Sequence, residues 1–399
     1  MTRLRCRLSS TGTMRIVLSR VVVGCAAILV LVGQVAGTGK AQGTSQTPPQ
    51  LTILLDLYEH GDYDAALAGL AAWPDLKVLR KRFAEAAPGW IAAGGPRTAN
   101  RRLLVAATLA LESARPAMER SAGSPEEEDP TGGPLIEWAC QLLRAAGPPF
   151  PAERWWHLAA LALIERSYDR YLLTGSLPPR IAPMLAARIQ HNHGSAANQL
   201  AHSIARFPDE ARFQLASIVG EEVHQTAGAW SWLSEPNELS IISAETGVWK
   251  RLADRYGTLT GGETVRAEAY LRAGVIHFRL GDDARALDLL GQVRALSSDA
   301  HLRYLSEFFE GKSLERAGRL QEAEAAYERA LDVIPRAQSA STALATLRFL
   351  RDERESAFAI VQKALDPPLM PVDPWRLYWC GDCRLWTQYC TRLREAIER

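Results

Sequence analysis

The sequence predicts an all-α fold of helical hairpins stacked into a solenoid, with a C-terminal capping helix. Three observations carry this expectation. Beyond residue 50 no alternating apolar/polar segment is bounded by hairpin turns, so strands are not expected. Long stretches rich in Ala, Leu, Arg and Glu, with apolar side chains at i, i+3 and i+4, recur instead. The C-terminal part also repeats itself: "AEAYLRAGVIHFRLGDDARALDLLGQV" from Ala267 aligns with "YLSEFFEGKSLERAGRLQEAEAAYERALDVIP" from Tyr304, Gly281 on Gly318.

The chain of 399 residues opens on Arg3, Arg5, Arg7, Arg15, Arg20 and Lys40, with no acidic residue before position 44. Val21 to Gly33 is an uncharged apolar run, shorter than the roughly 20 residues that span a bilayer. With Gly39 and Ala41 at −3 and −1 of a cleavage site, residues 1–41 read as a secretory signal. The chain is therefore expected to be exported, periplasmic or secreted, with no integral membrane span after cleavage. The alternative is a tether through an uncleaved segment. Translation starts at Met1 or Met14. Residues 42–50 form a small, polar, Pro-containing linker expected to be disordered. Setting the six basic residues of the start aside leaves 40 basic against 45 acidic side chains and no dense Lys/Arg run, which excludes a nucleic-acid partner.

Residues 51–260 read as a divergent helical repeat region. Helices are expected at Leu51–Glu59, Tyr63–Trp73, Arg101–Ala114, Leu135–Ala146, Ala152–Leu173, Met184–His193, Ala196–Arg206 and Glu210–Val219, separated by Gly/Pro-rich breakers such as "GSPEEEDPTGGP". "LLDLYEHGDYDAALAGLAAW" looks like one more hairpin, with Gly61 at its turn. Residues 261–371 carry the clear copies, near 267–300, 304–335 and 338–371. Gly274, Gly311 and Ala345 are equivalent; so are Ala286, Ala323 and Ala357, then Leu290, Tyr327 and Val361, then Val293, Ala330 and Ala364. Small residues stand where two helix backbones cross, and large apolar ones fill the holes. Gly281 and Gly318 suit the positive φ that ends one helix and starts the next, and Pro335 stops a second helix. A single pair cannot bury its apolar face, so the copies are expected to stack.

This pattern resembles the tetratricopeptide repeat family, most closely at Gly311, Leu314, Gly318, Ala323, Tyr327, Ala330 and Pro335. The first two copies stand slightly farther apart than the family's period of about 34 residues, and Ser298 replaces the usual proline. The resemblance implies a non-catalytic interaction scaffold whose curved groove, lined by the first helix of each pair, holds a peptide or protein partner without a cofactor. Carried over by position, the groove comprises Leu271, Val275, Phe278 and Arg279, then Phe308, Lys312, Glu315 and Arg316, then Thr342, Thr346, Phe349 and Leu350. These same positions are alternatively buried by a neighbouring segment.

The last segment, 372–399, holds "LYWCGDC", which looks like the thioredoxin-type dithiol motif. Cys383 stands too close to the end of the chain to leave room for the strands of that fold. An amphipathic helix with Leu385, Trp386, Tyr389, Leu393 and Ile397 on one face is expected there, capping the last repeat. Cys380, Cys383 and Cys390 then form a structural disulfide (380–383 or 383–390), stay as buried thiols, serve as an exported dithiol redox pair, or hold zinc. His191 and His193, two apart, point in different directions on a helix and make a poor metal pair. No phosphate-binding glycine loop or Gly-x-Ser-x-Gly elbow is present, and no carboxylate pair stands out as acid and base, so no catalytic or metal residue is assigned.

Overall fold

In a computed structural model, the described residues are 51–73, 75, 77–79, 81–82, 100–116, 132–145, 152–165, 198–230, 238–366, 373–379 and 381–399. The expected signal and linker, residues 1–50, lie outside them, as do the helix expected at Met184–His193 and its two histidines. Every regular element among the described residues is helical. None of these helices is long and apolar enough to cross a membrane.

The helices are α1 (Leu51–Glu59), α2 (Tyr63–Ala71), α3 (100–116), α4 (Gly132–Ala145), α5 (Glu153–Glu165) and α6 (198–206). They continue with α7 (Ala211–Trp230), α8 (Glu238–Thr258), α9 (Glu263–Arg279), α10 (Asp283–Leu296) and α11 (Ala300–Arg316). Then come α12 (Leu320–Val333), α13 (Gln338–Leu350), α14 (Arg354–Leu365), two 3-10 turns (Pro374–Trp379 and Gly381–Leu385) and α15 (Trp386–Glu398). From α7 to α14 each helix packs on the next.

The turns show why the residue pattern makes hairpins. Gly61, Gly281 and Gly318 have φ of +85°, +81° and +74°, a region open to glycine and costly for other residues. Asp352, the counterpart of Gly318 in the following hairpin, takes the same conformation at φ +65°. At all four turns the next residue's N–H reaches back to a helix carbonyl: Asp62 to Leu57, Asp282 to His277, Arg319 to Leu314 and Glu353 to Arg348, at 2.9–3.0 Å. That bond satisfies a carbonyl which the helix end would leave bare. Asp62 and Asp282 then cap the following helix by accepting from the N–H of Ala65 and Arg285.

The crossing points match their residue types. A Cβ on Gly274 would stand 2.9 Å from Leu290, and one on Gly311 would overlap the Tyr327 ring. α9 approaches α10, and α11 approaches α12, at these positions.

The apolar core falls into three clusters. The first joins α1, α3, α4 and α5 through Leu54, Tyr58, Leu104, Leu111, Leu142 and Trp156, among others. The second runs from α7 to α11, and the third binds α11 and α12 to α13 through Leu314, Tyr327, Leu344 and Leu347.

One expectation needs correction. α15 does form, with Trp386, Tyr389, Leu393 and Ile397 buried on one face, but it packs on α5 and belongs to the first cluster. Glu112 of α3 accepts from Arg394 at 2.8 and 3.1 Å, and Tyr63 of α2 donates to Glu398 at 2.7 Å. The physical reason lies in residues 373–379 and 381–385, which lie against α7, α9, α11 and α13 before α15 begins.

Candidate functional site

α9, α11 and α13 each meet the segment of residues 373–379. Asp373 accepts from both the N–H (2.7 Å) and the hydroxyl (3.0 Å) of Ser339 at the start of α13, where a carboxylate meets the positive end of the helix. Trp375 stands edge-on to Phe309 of α11, with centroids 4.9 Å apart. The Tyr378 carbonyl accepts from Arg272 of α9 at 2.7 Å, and its ring lies 4.7 Å from the same guanidinium. The Tyr378 hydroxyl donates to Glu222 of α7 at 2.7 Å, beside that of Tyr256 at 2.8 Å.

Beyond Tyr378 the segment enters a buried ionic cluster. Arg212 donates to Asp382 (2.6 Å) and Glu268 (3.0 Å). Arg272 bonds Glu268, one helical turn before it, and Glu222 at 3.2–3.4 Å. Arg384 donates to Glu268 and Asp299 at 3.1 Å. Glu165, at the end of α5, accepts the Asp382 N–H, and a Cβ on Gly381 would stand 3.0 Å from its carboxylate. Glycine at 381 is what lets the backbone come so close.

Glu268, Glu222, Glu165, Arg272 and Asp382 are each at most 2% exposed. Charges at that depth are tolerable only when paired.

The protonation states follow from the neighbours. Burial alone would raise the Glu268 carboxyl, but the guanidiniums of Arg384, Arg272 and Arg212 outweigh it and hold the group well below the usual range. Glu165 is pushed well above 4.5, first by burial and then by Asp382 and Glu268. Asp382 is raised too, first by burial, with Arg212 opposing. Among the described residues the cluster joins five carboxyls (Glu165, Glu222, Glu268, Asp299, Asp382) to three guanidiniums (Arg212, Arg272, Arg384). Protons on the two carboxyls that are pushed up would remove that excess.

The expected groove residues divide. Leu271 and Val275 are fully buried in the second cluster, filling the space between helices. Phe278 packs edge-on to Phe309 at 5.7 Å, with the Arg316 guanidinium 4.2 Å from its ring. Arg279 lies 5.9 Å from the Trp249 ring. Phe308 stacks with Tyr304 and lies tilted against Tyr327, 6.0 Å between centroids. Lys312 pairs with Glu315, and Glu315 accepts from Tyr327 at 2.6 Å. Arg316 pairs with Asp283. Thr342, Thr346, Phe349 and Leu350 on α13 are exposed.

The residues meeting the C-terminal segment stand one position later than two of those expected: Arg272, not Leu271, and Phe309, not Phe308. Positional carry-over favoured large apolar side chains, and these fill the core. The signal for the others lay in Glu268 and Arg272, a charge pair at helix spacing on an otherwise apolar face. The distant partners Arg212, Glu222 and Glu165 left no such signal.

The cysteines settle in part. Cys383 is disulfide-bonded, while Cys140 and Cys390 carry thiols. This excludes the 383–390 bridge and a zinc site that uses Cys383 and Cys390 together in this state, while a disulfide at Cys383 is equally the oxidised form of the dithiol pair. The side chain of Cys380 lies outside the described residues. Burial, then Glu112, pushes the Cys390 thiol far above its usual value, which keeps it protonated and unreactive.

A second constellation has hydrolase residue types. Nδ1 of His157 lies 2.7 Å from the Ser203 hydroxyl, and its Nε2 lies 3.8 Å from Glu153. Ser203, however, donates its proton to the Gln199 carbonyl at 2.8 Å, and Ser203 and His157 are only 1% and 2% exposed. With both side chains buried, these bonds tie α5 to α6. Among the described residues no three His, Cys, Asp or Glu side chains gather as a metal ion would require.

No family model matches the chain, and no curated protein is significantly similar to it.

Proposed function

We propose that this chain is a non-catalytic, exported interaction scaffold of tetratricopeptide-like hairpins that holds an extended peptide or protein partner against its first helices. The observation that carries this reading is the way residues 373–378 lie on α9, α11 and α13. Asp373 caps α13, Trp375 rests on Phe309, and Tyr378 is held by Arg272 and Glu222. These are the contacts of a bound peptide made within one chain: main-chain and terminal polar bonds fix direction, and aromatic anchors in pockets give specificity. The partner then continues along α13, where Thr342, Thr346, Phe349 and Leu350 are exposed, or displaces the segment by offering the same acidic and aromatic groups.

The test uses a fluorescent peptide of residues 372–385 and a Trp375→Ala/Tyr378→Ala chain whose helicity is first checked by circular dichroism. Anisotropy should rise with the variant, hardly at all with the parent chain, and not when Phe309→Ala is added. A folded variant that leaves the peptide unbound would overturn the reading.

A further inference from the structure

The 3-10 turn Gly381–Leu385 is a short element at the meeting point of four helices. The Asp382 N–H donates to Glu165 at the end of α5, and the Asp382 carboxylate accepts from Arg212 of α7 at 2.6 Å. Arg384 donates to Glu268 of α9 and to Asp299, the cap of α11, at 3.1 Å. Leu385 is the one large apolar side chain of the turn, and Asp382 and Arg384 are held by charge. Its 3-10 geometry also gives poorer hydrogen bonds than an α-helix. Arg212 donates to Glu268 as well, at 3.0 Å, so Asp382 can leave without stranding that guanidinium. The disulfide at Cys383 therefore closes a turn that is otherwise held mainly by polar contacts, and a bridge of this kind acts by limiting the freedom of the open turn. Of the six cysteines, Cys140 and Cys390 carry thiols, and Cys6 and Cys25 fall in the expected signal. Cys380, three residues from Cys383, is the remaining candidate for its partner.

We infer that the disulfide at Cys383, made with Cys380, is a redox latch: closed, it seats the turn among α5, α7, α9 and α11, and its reduction by a dithiol releases the turn and loosens the hold of the helices at 51–165 on the hairpins. The exchange balances without any further reactant. A thiolate of the dithiol attacks one sulfur of the bridge, the S–S bond breaks, and a mixed disulfide forms. The second thiol of the reductant then displaces the protein sulfur. The reductant leaves as a disulfide, and its two electrons and two protons end on Cys380 and Cys383 as thiols. Cys383 is only 5% exposed, so a reductant reaches its sulfur when the turn lifts, and whatever holds the turn down protects the bridge. Linkage makes the coupling reciprocal: the bridge holds the turn down to the same degree.

The test is hydrogen exchange of the purified chain before and after reduction with dithiothreitol, with peptide mapping of the oxidised chain to locate the bridge. The map should join Cys383 to Cys380. Reduction should speed exchange in residues 381–385 at least tenfold while α13 and α14 keep their protection, and reoxidation should reverse the change. Cys380→Ser/Cys383→Ser should exchange like the reduced parent. In the reciprocal direction, Asp382→Asn weakens the seat of the turn without touching a cysteine, and its bridge should open at a dithiothreitol concentration at least threefold lower. A bridge to any other cysteine, a turn whose exchange ignores reduction, or an Asp382→Asn chain reduced no more easily than the parent would overturn the proposal. So would protection lost along the whole chain, the mark of a bridge that only stabilises the fold. These readings concern residues 381–385 and not the peptide held on the first helices, so either result stands without the other.

Discussion

At the scale of the residue, two kinds of position decide whether the hairpins form and hold. The first is the crossing glycine. Gly311 faces the Tyr327 ring so closely that any Cβ must displace it, and Tyr327 is itself fully buried with its hydroxyl tied to Glu315. Gly311→Ala should lower stability by about 1–3 kcal/mol through overpacking, read as a fall in melting temperature. Gly61, exposed at the tip of a turn, offers no such clash. The second kind is the buried charge. Glu268 faces three guanidiniums, and its loss by Glu268→Gln leaves them undercompensated at about 3–5 kcal/mol.

The pH dependence has a definite sign. The folded Glu268 carboxyl lies below its unfolded value, so its contribution is present above pH 4.5 and is lost as the pH falls. The folded Glu165 carboxyl lies above its unfolded value, so its contribution is present below 4.5 and declines as the pH rises through the folded value. Glu165→Gln keeps an acceptor for the Asp382 N–H without needing a proton. Thermal melts across pH should show its alkaline decline flattened, with the acid limb unchanged; an unaltered profile would mean that Glu165 is ionised.

At the scale of the element, α15 is the informative case. Its apolar face is legible in the sequence, but its position is not, because an amphipathic helix states only that it needs a partner. Its Leu393 and Ile397 are buried with Leu54, Tyr58 and Trp156, far along the chain from the hairpin it directly follows. Leu393→Ala should cost about 2–5 kcal/mol. Hydrogen exchange locates the damage: protection should fall first in residues 51–165, while α13 and α14 keep theirs. The reverse order would place α15 on the last hairpin. The turns were easier to read than the helix, since Gly281 and Gly318 announce a positive φ by residue type, whereas Asp352 reaches the same φ and shows itself only by falling one repeat after Gly318.

At the scale of the whole molecule, residues 373–399 tie the repeated hairpins to the helices at 51–165: Asp373, Trp375 and Tyr378 on one side, Asp382 and Arg384 in the ionic cluster, α15 on the other. A chain shortened before Asp373 would take Asp382 from Arg212 and the Tyr378 carbonyl from Arg272 and uncover the first cluster, which is why the peptide test frees the first helices by substitution and not by truncation. What the sequence by itself determined was local and periodic. Helical content, the hairpin turns, the small residues Gly274 and Gly311 at the helix crossings, and the apolar face of α15 all follow from residue types at fixed spacing, whereas that Leu290 and Tyr327 are the side chains packed on those glycines came from the structure. What only the tertiary structure decided was which surfaces meet. Arg212 with Asp382, Glu222 with Tyr378 and Glu112 with Arg394 join positions from distant parts of the chain. Long-range pairing of this kind is selected by burial and charge balance over the whole fold, and it leaves no period along the chain for a reader to find.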